Sequence, residues 1–259
     1  METIFFGNAG SGSRPPLLFL HGSYCGAWVW EKHFLPYFAA AGFHGVAISL
    51  RAHGKSPGLA IDLHGILDYL KDIETGMGLF NTPPVLIGHS LGGYLAQKYA
   101  LRHPVGGLVL FASPSLQGLG PAGRHIAARN PRLAFTIWRL MMLGPKLVDP
   151  DVIASALFSP AMPVDEMLSM LPQLQRESLR VSVEASMPDF SRPPELLPPT
   201  LVIGGANDVF VPRSDLEHAA AFWQGKLQVI DGLPHGAMMD PTWPRAALPI
   251  KTWLENFPG

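Results

Sequence analysis

The chain has 259 residues and a formal net charge of -1 at pH 7, with 47% hydrophobic and 15% charged residues. This composition excludes a disordered chain, and the length suffices for one α/β domain with an insertion and a large core. Because basic residues are not in excess, the chain has no electrostatic field for nucleic acid or an anionic membrane surface. The expected partner is a small, largely neutral or apolar substrate.

The single cysteine, Cys25, excludes an intrachain disulfide. Residues 1–6 lack the basic start of a secretory signal. The best candidate for a membrane span, residues 133–143, is short and contains Arg139. These features predict a cytoplasmic protein without a membrane span. They leave open whether the chain is a monomer or a homodimer.

The first part of the chain alternates short apolar runs with helical patterns. Strands are predicted at 2–6, 17–20, 46–50, 85–87 and 107–112, and helices at 28–41, 62–76 and 91–102. Gly42 follows the first helix as its C-terminal cap. Because the strands are continuous apolar runs, they predict a mostly parallel, doubly wound α/β sheet that is buried on both faces.

The alternation stops after residue 113 and resumes at residue 200. The intervening stretch carries helical patterns at 131–143, 150–158 and 164–183, bordered by proline-rich segments. We therefore predict a core of residues 1–113 and 200–259, with a helical cap of residues 114–199 over the carboxyl edge of the sheet. The core resumes with strands at 200–205 and 227–230. A helix at 214–223, opened by a capping box from Ser214 to Glu217, and a closing helix at 241–257 complete it.

Residues 88–92, Gly-His-Ser-Leu-Gly, stand between a predicted strand and a predicted helix. Gly-x-Ser-x-Gly in this context is typical of a nucleophile elbow, a strained turn that exposes a serine hydroxyl beside a helix N-terminus. The alternative is a glycine-rich turn that merely contains a serine. The context favours Ser90 as a nucleophile.

A serine nucleophile needs a base, and the base needs a group that orients it. In this architecture the order along the chain is serine, acid, histidine. Among the later histidines, His218 falls inside a predicted helix, whereas His235 follows the last strand at the sheet edge where ligands bind. The predicted base is therefore His235, with a structural loop histidine as the alternative.

Asp208 occupies the equivalent position after the preceding strand and is the predicted acid. Its alternative role is an Asx-turn residue. Asp189, Asp231 and Asp240 are weaker candidates. The loop after the 107–112 strand, which holds the acid in some such folds, contains serines instead of a carboxylate.

Two backbone amides are predicted to form an oxyanion hole, those of Leu91 and Ser23. His21 and His53 are predicted to make structural hydrogen bonds, since no ligand spacing favours a metal. No metal or cofactor is expected. The predicted pocket lining combines loop residues with a methionine and aromatic stripe of the insertion, whose alternative role is plain core: Tyr24, His89, Phe135, Trp138, Met141, Met142, Met167, Met170 and Val209.

The chain resembles the α/β-hydrolase superfamily with a helical cap. The motifs that carry the resemblance are His21-Gly22 followed by Trp28, Arg51-x-His53-Gly54-x-Ser56, residues 88–93, Gly205-x-x-Asp208, and His235. Residues 26–30 are also similar to the plant methylesterase and hydroxynitrile lyase branch. Relatives often have aspartate and glycine where this chain has Ser49 and Ala52.

The resemblance implies a Ser-His-Asp hydrolase, and the serine at position 90 argues against the relatives that use an aspartate nucleophile. We expect hydrolysis of a carboxylic ester of a small, largely apolar substrate through an acyl-enzyme. The alternatives are C–C bond, lactone or thioester hydrolysis, acyl transfer, or hydroxynitrile cleavage by the same triad. A small-molecule receptor on a hydrolase scaffold is the non-enzymatic alternative.

Overall fold

The computed structural model describes residues 1–8, 14–58 and 60–257, which contain one seven-stranded sheet. Its strands are β1 (Glu2–Phe6), β2 (Leu17–Leu20), β3 (Gly45–Ser49), β4 (Val85–His89), β5 (Gly107–Phe111), β6 (Thr200–Gly205) and β7 (Lys226–Ile230). The order across the sheet is β1-β3-β2-β4-β5-β6-β7, and only the β1–β3 pair is antiparallel among the pairs described. The predicted mostly parallel α/β sheet is confirmed.

The five central strands are buried along their whole length, which explains their continuous apolar sequences. Successive side chains of β2 enter opposite halves of the core: Leu17 and Phe19 pack in one cluster, Leu18 and Leu20 in the other. The chain runs from β2 to β3 in one direction across the sheet, and β4 then starts the other half beside β2. This reversal creates a crevice outside the carboxyl ends of β2 and β4, where open α/β sheets bind ligands.

Ten α-helices surround the sheet in the described ranges. They are α1 (Phe34–Ala40), α2 (Ile66–Met77), α3 (Leu91–Ala100), α4 (Gly120–Arg129), α5 (Pro131–Leu143), α6 (Pro150–Leu157), α7 (Val164–Met170), α8 (Leu179–Ser186), α9 (Arg213–Trp223) and α10 (Pro244–Glu255). None of the described helices is both long and apolar enough to cross a bilayer. We call residues 114–199, which contain α4 to α8, the helical segment.

Three predicted helices are interrupted in the structure. The 28–41 pattern forms a 3-10 turn at Ala27–Trp30 before α1, and the 62–76 pattern forms a 3-10 turn at Ile61–Leu63 before α2. The 164–183 pattern breaks after α7 into a 3-10 turn at Leu171–Gln173 and then α8. Pro172 causes this break, because it has no backbone N–H to donate to the preceding turn of an α-helix.

Two other differences concern helix starts. Helix α4 was not predicted, because its first residues resemble a glycine- and proline-rich linker; Pro121 instead occupies the first turn, where a missing N–H costs nothing. The predicted capping box from Ser214 to Glu217 is wrong. Helix α9 begins one residue earlier, after Pro212, and Glu217 pairs with Arg213 at 2.8 Å.

Candidate active site

Ser90 lies at a strained turn between β4 and α3. Its φ of 51° and ψ of -120° are unusual for a residue with a side chain, and such strain persists only when the surroundings impose it. Its amide donates to the Phe111 carbonyl of β5 at 3.0 Å, and its carbonyl accepts from the amides of Gly93 and Tyr94. The turn is thus attached to the sheet on one side and starts the helix on the other.

Close packing explains why glycines flank this serine. A Cβ on Gly88 would lie 2.5 Å from the Gly92 oxygen, and one on Gly92 would lie 2.5 Å from the Leu20 and His21 oxygens. Real side chains do not approach backbone that closely. The turn therefore contacts the end of β2 directly, which brings Ser90 to the crevice between β2 and β4.

Asp208 and His235 follow β6 and β7 and are joined by a hydrogen bond. Nδ1 of His235 donates to Oδ2 of Asp208 at 2.7 Å, and the two side chains are 6% and 1% exposed. The other carboxylate oxygen accepts from the amides of Phe210 at 2.8 Å and Val211 at 3.1 Å. One carboxylate oxygen thus makes the hydrogen bonds of an Asx turn, and the other accepts from the imidazole. Because Nδ1 carries the hydrogen, Nε2 of His235 is left with a lone pair.

His89 is hydrogen-bonded to the backbone of His235 and packs against its ring. Its Nε2 donates to the His235 carbonyl at 2.9 Å, and the two rings are 4.7 Å apart between centroids. Burial, followed by the nearby His235, lowers the pKa of His89 well below its ordinary value. His89 therefore contacts His235 as a neutral imidazole.

Ser90 and His235 border the same cavity, although no hydrogen bond joins these two described side chains. Catalytic hydrogen bonds are often long or misaligned in the absence of substrate. Ser90 and His235 thus border one common space.

Of the two residues predicted to supply oxyanion amides, Ser23 borders this cavity, and Leu91 directly follows Ser90, which also borders it. Leu91 is the first residue of α3, Ser23 follows β2, and neither amide donates a hydrogen bond within the described ranges. His21 holds the Ser23 loop: its Nδ1 donates to the Gly22 carbonyl at 2.8 Å, while its Nε2 accepts from the Leu50 amide at 3.0 Å. Burial lowers the pKa of His21 to about 3, so the ring is neutral. Its structural hydrogen bonds agree with the prediction.

The other candidates of the triad have different partners. His218 is exposed on α9. Asp189 pairs with Lys98, and Asp240 is buried and accepts from the amide of Ser159 at 2.8 Å. None of the three borders the cavity, so these side chains are structural or solvent-facing.

The cavity has a volume of about 610 Å³ and lies between the sheet edge and the helical segment. Of the predicted pocket residues, Tyr24, His89, Met141, Met167 and Met170 line it. The Cys25 thiol lies there too, and burial, followed by the charge of Glu177, raises its pKa to about 12. Cys25 is therefore a neutral, weakly nucleophilic thiol, as expected for an ordinary loop residue near the pocket.

Four predicted lining residues lie outside the cavity. Phe135, Trp138 and Met142 share the outer face of α5 and are 58%, 55% and 44% exposed. The helical period explains this correction, because residues three and seven positions apart share one face, and the opposite face carries the buried residues. Val209 is 38% exposed, and its two neighbours Phe210 and Val211 line the cavity instead.

Many lining residues were not predicted. Those of the helical segment are mostly aliphatic: Leu119, Ala122, Gly123, Ile126, Ile137, Leu140, Pro145, Val148, Ile153, Ala154, Leu157, Phe158, Leu171, Pro172, Leu174, Ser182 and Ser186. Those of the core are Gly22, Trp28, Gly236 and Met239, together with Phe210 and Val211. An apolar helix face facing a cavity has the same sequence pattern as one facing a packed core, so periodicity could not have identified them. A correct prediction of α4 would have identified three of them, Ala122, Gly123 and Ile126.

Comparison with known proteins identifies the family. A sequence model described as "Alpha/beta hydrolase family" matches residues 17–245. The chain belongs to this family. This α/β hydrolase is 26% identical to a monoacylglycerol lipase of Mycolicibacterium smegmatis over 243 residues, covering 86% of this chain and 81% of the relative.

Two further comparisons extend this finding. The α/β hydrolase is 28% identical over 268 residues to a 2-hydroxy-6-oxononadienedioate/2-hydroxy-6-oxononatrienedioate hydrolase of Pseudomonas putida, covering 93% of this chain and 88% of the relative. An esterase from Exiguobacterium antarcticum has the same fold, with a TM-score of 0.79 at 18% identity and coverage of 98% and 94% of the two chains. The predicted superfamily is confirmed.

Proposed function

We propose that this chain hydrolyses carboxylic esters of neutral, largely apolar substrates through a serine acyl-enzyme. The observation that carries the proposal is the arrangement of Ser90 on its strained turn and the hydrogen-bonded Asp208–His235 pair around one apolar cavity. The names of two relatives, a lipase and an esterase, support the same reaction class. The fold by itself supports many chemistries, so the proposal rests on the site.

The proposed mechanism starts with attack of Ser90 Oγ on the ester carbonyl. Nε2 of His235 accepts the serine proton, and Asp208 stabilises the resulting imidazolium through Nδ1. The amides of Ser23 and Leu91 donate to the carbonyl oxygen as it becomes negative, and the N-terminal end of α3 favours that charge. His235 then gives the proton to the leaving alcohol. Water, activated by the same histidine, releases the acid and restores Ser90.

The cavity supports a neutral substrate. No lysine, arginine, aspartate or glutamate is among the described residues that line it. Burial of an unpaired charge is costly, so a charged acyl or alcohol group would be poorly accommodated. The Pseudomonas putida relative is named for a dioate, a compound with two carboxylates. The absence of a cationic side chain among these lining residues favours a neutral ester over a dioate as the substrate of this chain.

We also propose that the helical segment is a cap that selects the substrate. It contributes Met141, Met167 and Met170, along with most of the aliphatic lining, whereas the core contributes the reacting groups. The cap also contacts the catalytic loop directly, because the Gly236 amide donates to the Leu157 carbonyl at 2.8 Å. Substitutions in the cap should therefore change which substrates are preferred, whereas substitutions of the reacting groups in the core should change the rate for all substrates.

The decisive experiment compares the wild type with Ser90→Ala on a p-nitrophenyl butyrate substrate. We expect the variant to lose nearly all turnover while its melting temperature stays close to that of the wild type, because the change removes only a hydroxyl. A fluorophosphonate probe should label the wild type and not the variant. Retained turnover in Ser90→Ala contradicts the proposal.

The same preparation separates the remaining alternatives. A wild type that is labelled by the probe but turns over no ester, thioester or lactone would favour the receptor. Faster turnover of thioesters or lactones than of oxygen esters with the same acyl chain would favour those reactions. Product analysis with added alcohol reports acyl transfer, since the acyl-enzyme then passes its acyl group to the alcohol instead of water.

A further inference from the structure

One residue of the helical segment is hydrogen-bonded to two loops of the core. We call residues 174–178, between the Leu171–Gln173 turn and α8, the strap. The backbone amide of Gln175 donates to the Tyr24 carbonyl at 2.9 Å. Its side-chain oxygen accepts from the Gly54 amide, and its side-chain nitrogen donates to the Gly54 carbonyl at 3.1 Å. Gln175 thus joins the loop after β2 to the loop after β3.

The loop after β2 is held in an unfavourable conformation at the contacted residue. Tyr24 has a φ of 64°, which lies in the left-handed region of backbone conformation. Residues other than glycine, asparagine and aspartate rarely adopt this conformation. The neighbouring Ser23 supplies one of the two amides assigned to the oxyanion hole. A strained residue keeps its conformation only when its surroundings hold it, and the Gln175 amide is the hydrogen-bond donor to its carbonyl.

Hydrogen bonds of Glu177 and Ser178 attach the strap to the core on the C-terminal side of Gln175. Leu174 lines the cavity, and Glu177 is buried, where it accepts from the Tyr69 hydroxyl at 2.7 Å and the Ser178 amide at 2.8 Å. Ser178 in turn donates to the His64 carbonyl at 2.7 Å. The strap therefore presents Gln175 to the two loops from a fixed position.

We propose that Gln175 is a positioning residue for the oxyanion hole. Its contacts to Tyr24 and Gly54 hold the loop that aims the Ser23 amide at the developing negative charge. This role rests on the proposed ester hydrolysis and adds a residue from the helical segment to it. None of the described hydrogen bonds of Gln175 goes to Ser90, His235 or Asp208, so loosening the strap should change the stabilisation of the transition state without changing the nucleophile.

Two variants of increasing severity test the role. Gln175→Met keeps the length of the side chain and the backbone N–H that donates to Tyr24, but it removes both side-chain hydrogen bonds to Gly54. Gln175→Pro removes the amide donor as well, and the preceding Leu174 has φ and ψ of -68° and 133°, which a following proline favours. The matched control is Arg176→Gln, because the Arg176 side chain is 49% exposed and forms a surface ion pair with Asp62.

The readout is the separation of kcat from KM on p-nitrophenyl butyrate. Misplacing an oxyanion donor weakens only the transition state, so we expect kcat to fall roughly tenfold in Gln175→Met and up to about a hundredfold in Gln175→Pro, with KM within about twofold. The affinity for an alkyl trifluoromethyl ketone, whose adduct with Ser90 carries the oxyanion, should fall by the same factors. Arg176→Gln should behave as the wild type in both assays.

Three results overturn this role: kcat within about twofold of the wild type in both variants, an equal loss in Arg176→Gln, or a change confined to KM. If Gln175→Pro unfolds, as its melting temperature would reveal, Gln175→Met alone decides. A wild type without ester turnover, or an active Ser90→Ala, overturns the proposed function instead and this role with it. Normal wild-type turnover with unaffected Gln175 variants overturns the positioning role alone.

Discussion

Replacing Glu177 by glutamine should destabilise the protein in a manner that depends on pH. The carboxylate is buried 3.4 Å from Nε2 of His53, and the two side chains are 2% and 0% exposed. Nδ1 of His53 donates to the Arg51 carbonyl at 3.0 Å. The geometry therefore suits an imidazolium between a carbonyl and a carboxylate, buried where the helical segment meets the loop after β3.

The two pKa shifts define where this pair is strongest. Burial alone lowers the pKa of His53, but the charge of Glu177 at 3.4 Å and the hydrogen bond to the Arg51 carbonyl help to outweigh it, so the pKa lies above its ordinary 6.5. Burial likewise raises the pKa of Glu177, and His53, Tyr69 and Ser178 together bring it below its ordinary 4.5. The histidine contribution is present below pH 6.5 and is lost as pH rises through the raised pKa. The glutamate contribution is present above pH 4.5 and is lost as pH falls through the lowered pKa. The pair is therefore at full strength between these two values.

The glutamine of Glu177→Gln has nearly the same shape and can still accept from Tyr69 and Ser178. Its amide can donate to a neutral His53 but repels a protonated one, so the folded variant has to exclude a proton that the unfolded chain binds below its ordinary pKa. The free energy lost relative to the wild type should therefore begin to grow as pH falls through the raised pKa of His53, and should grow further by up to about 1.4 kcal/mol for each pH unit below 6.5. We expect a loss of at least about 2 kcal/mol near pH ~5 and little loss near pH ~9.

Urea unfolding at several pH values, followed by circular dichroism, measures this difference. The lowered pKa values of His21 and His89 are common to both proteins and cancel in the difference. The control is Glu217→Gln, whose carboxylate is 49% exposed in a surface pair with Arg213 and should contribute less than about 1 kcal/mol without this pH dependence. A loss in Glu177→Gln that stays constant with pH, or that grows toward alkaline pH, would refute the assignment of a buried ion pair.

Three further predictions concern the turn, the acid and the cavity. Gly92→Ala should lower the unfolding free energy by about 1–3 kcal/mol or more, because its Cβ would meet two carbonyl oxygens; an unchanged melting temperature contradicts the packing argument. Asp208→Asn should lower kcat about 10⁴-fold with the fold retained, because His235 loses its tautomer; a loss under about tenfold in steady-state kinetics would argue for another acid. In the wild type, kcat/KM should rise about fourfold for each added acyl methylene until the cavity is full. Met141→Trp should shorten the preferred chain whereas Met142→Trp, on the outer face, should not; equal effects would place the acyl site elsewhere.

Much of the core could be predicted because its signals are local. The five buried strands are continuous apolar runs between turn residues, and burial on both faces requires that pattern. The helical segment was harder, since prolines occur at the start of three of its α-helices and within the 3-10 turns between them. In the 164–183 stretch, apolar spacing continues through Pro172, although the backbone hydrogen bonding cannot.

The sequence by itself determined the parallel sheet and pointed to Ser90, Asp208 and His235, because strand composition and the residues at strand ends are properties of short stretches. Only the tertiary structure decided which face of α5 borders the cavity, since an amphipathic pattern does not record what covers the apolar face. Only the tertiary structure showed that the strap contacts the loop after β2. The contact between Gln175 and Tyr24 joins residues 151 positions apart through backbone atoms, which no side-chain pattern encodes.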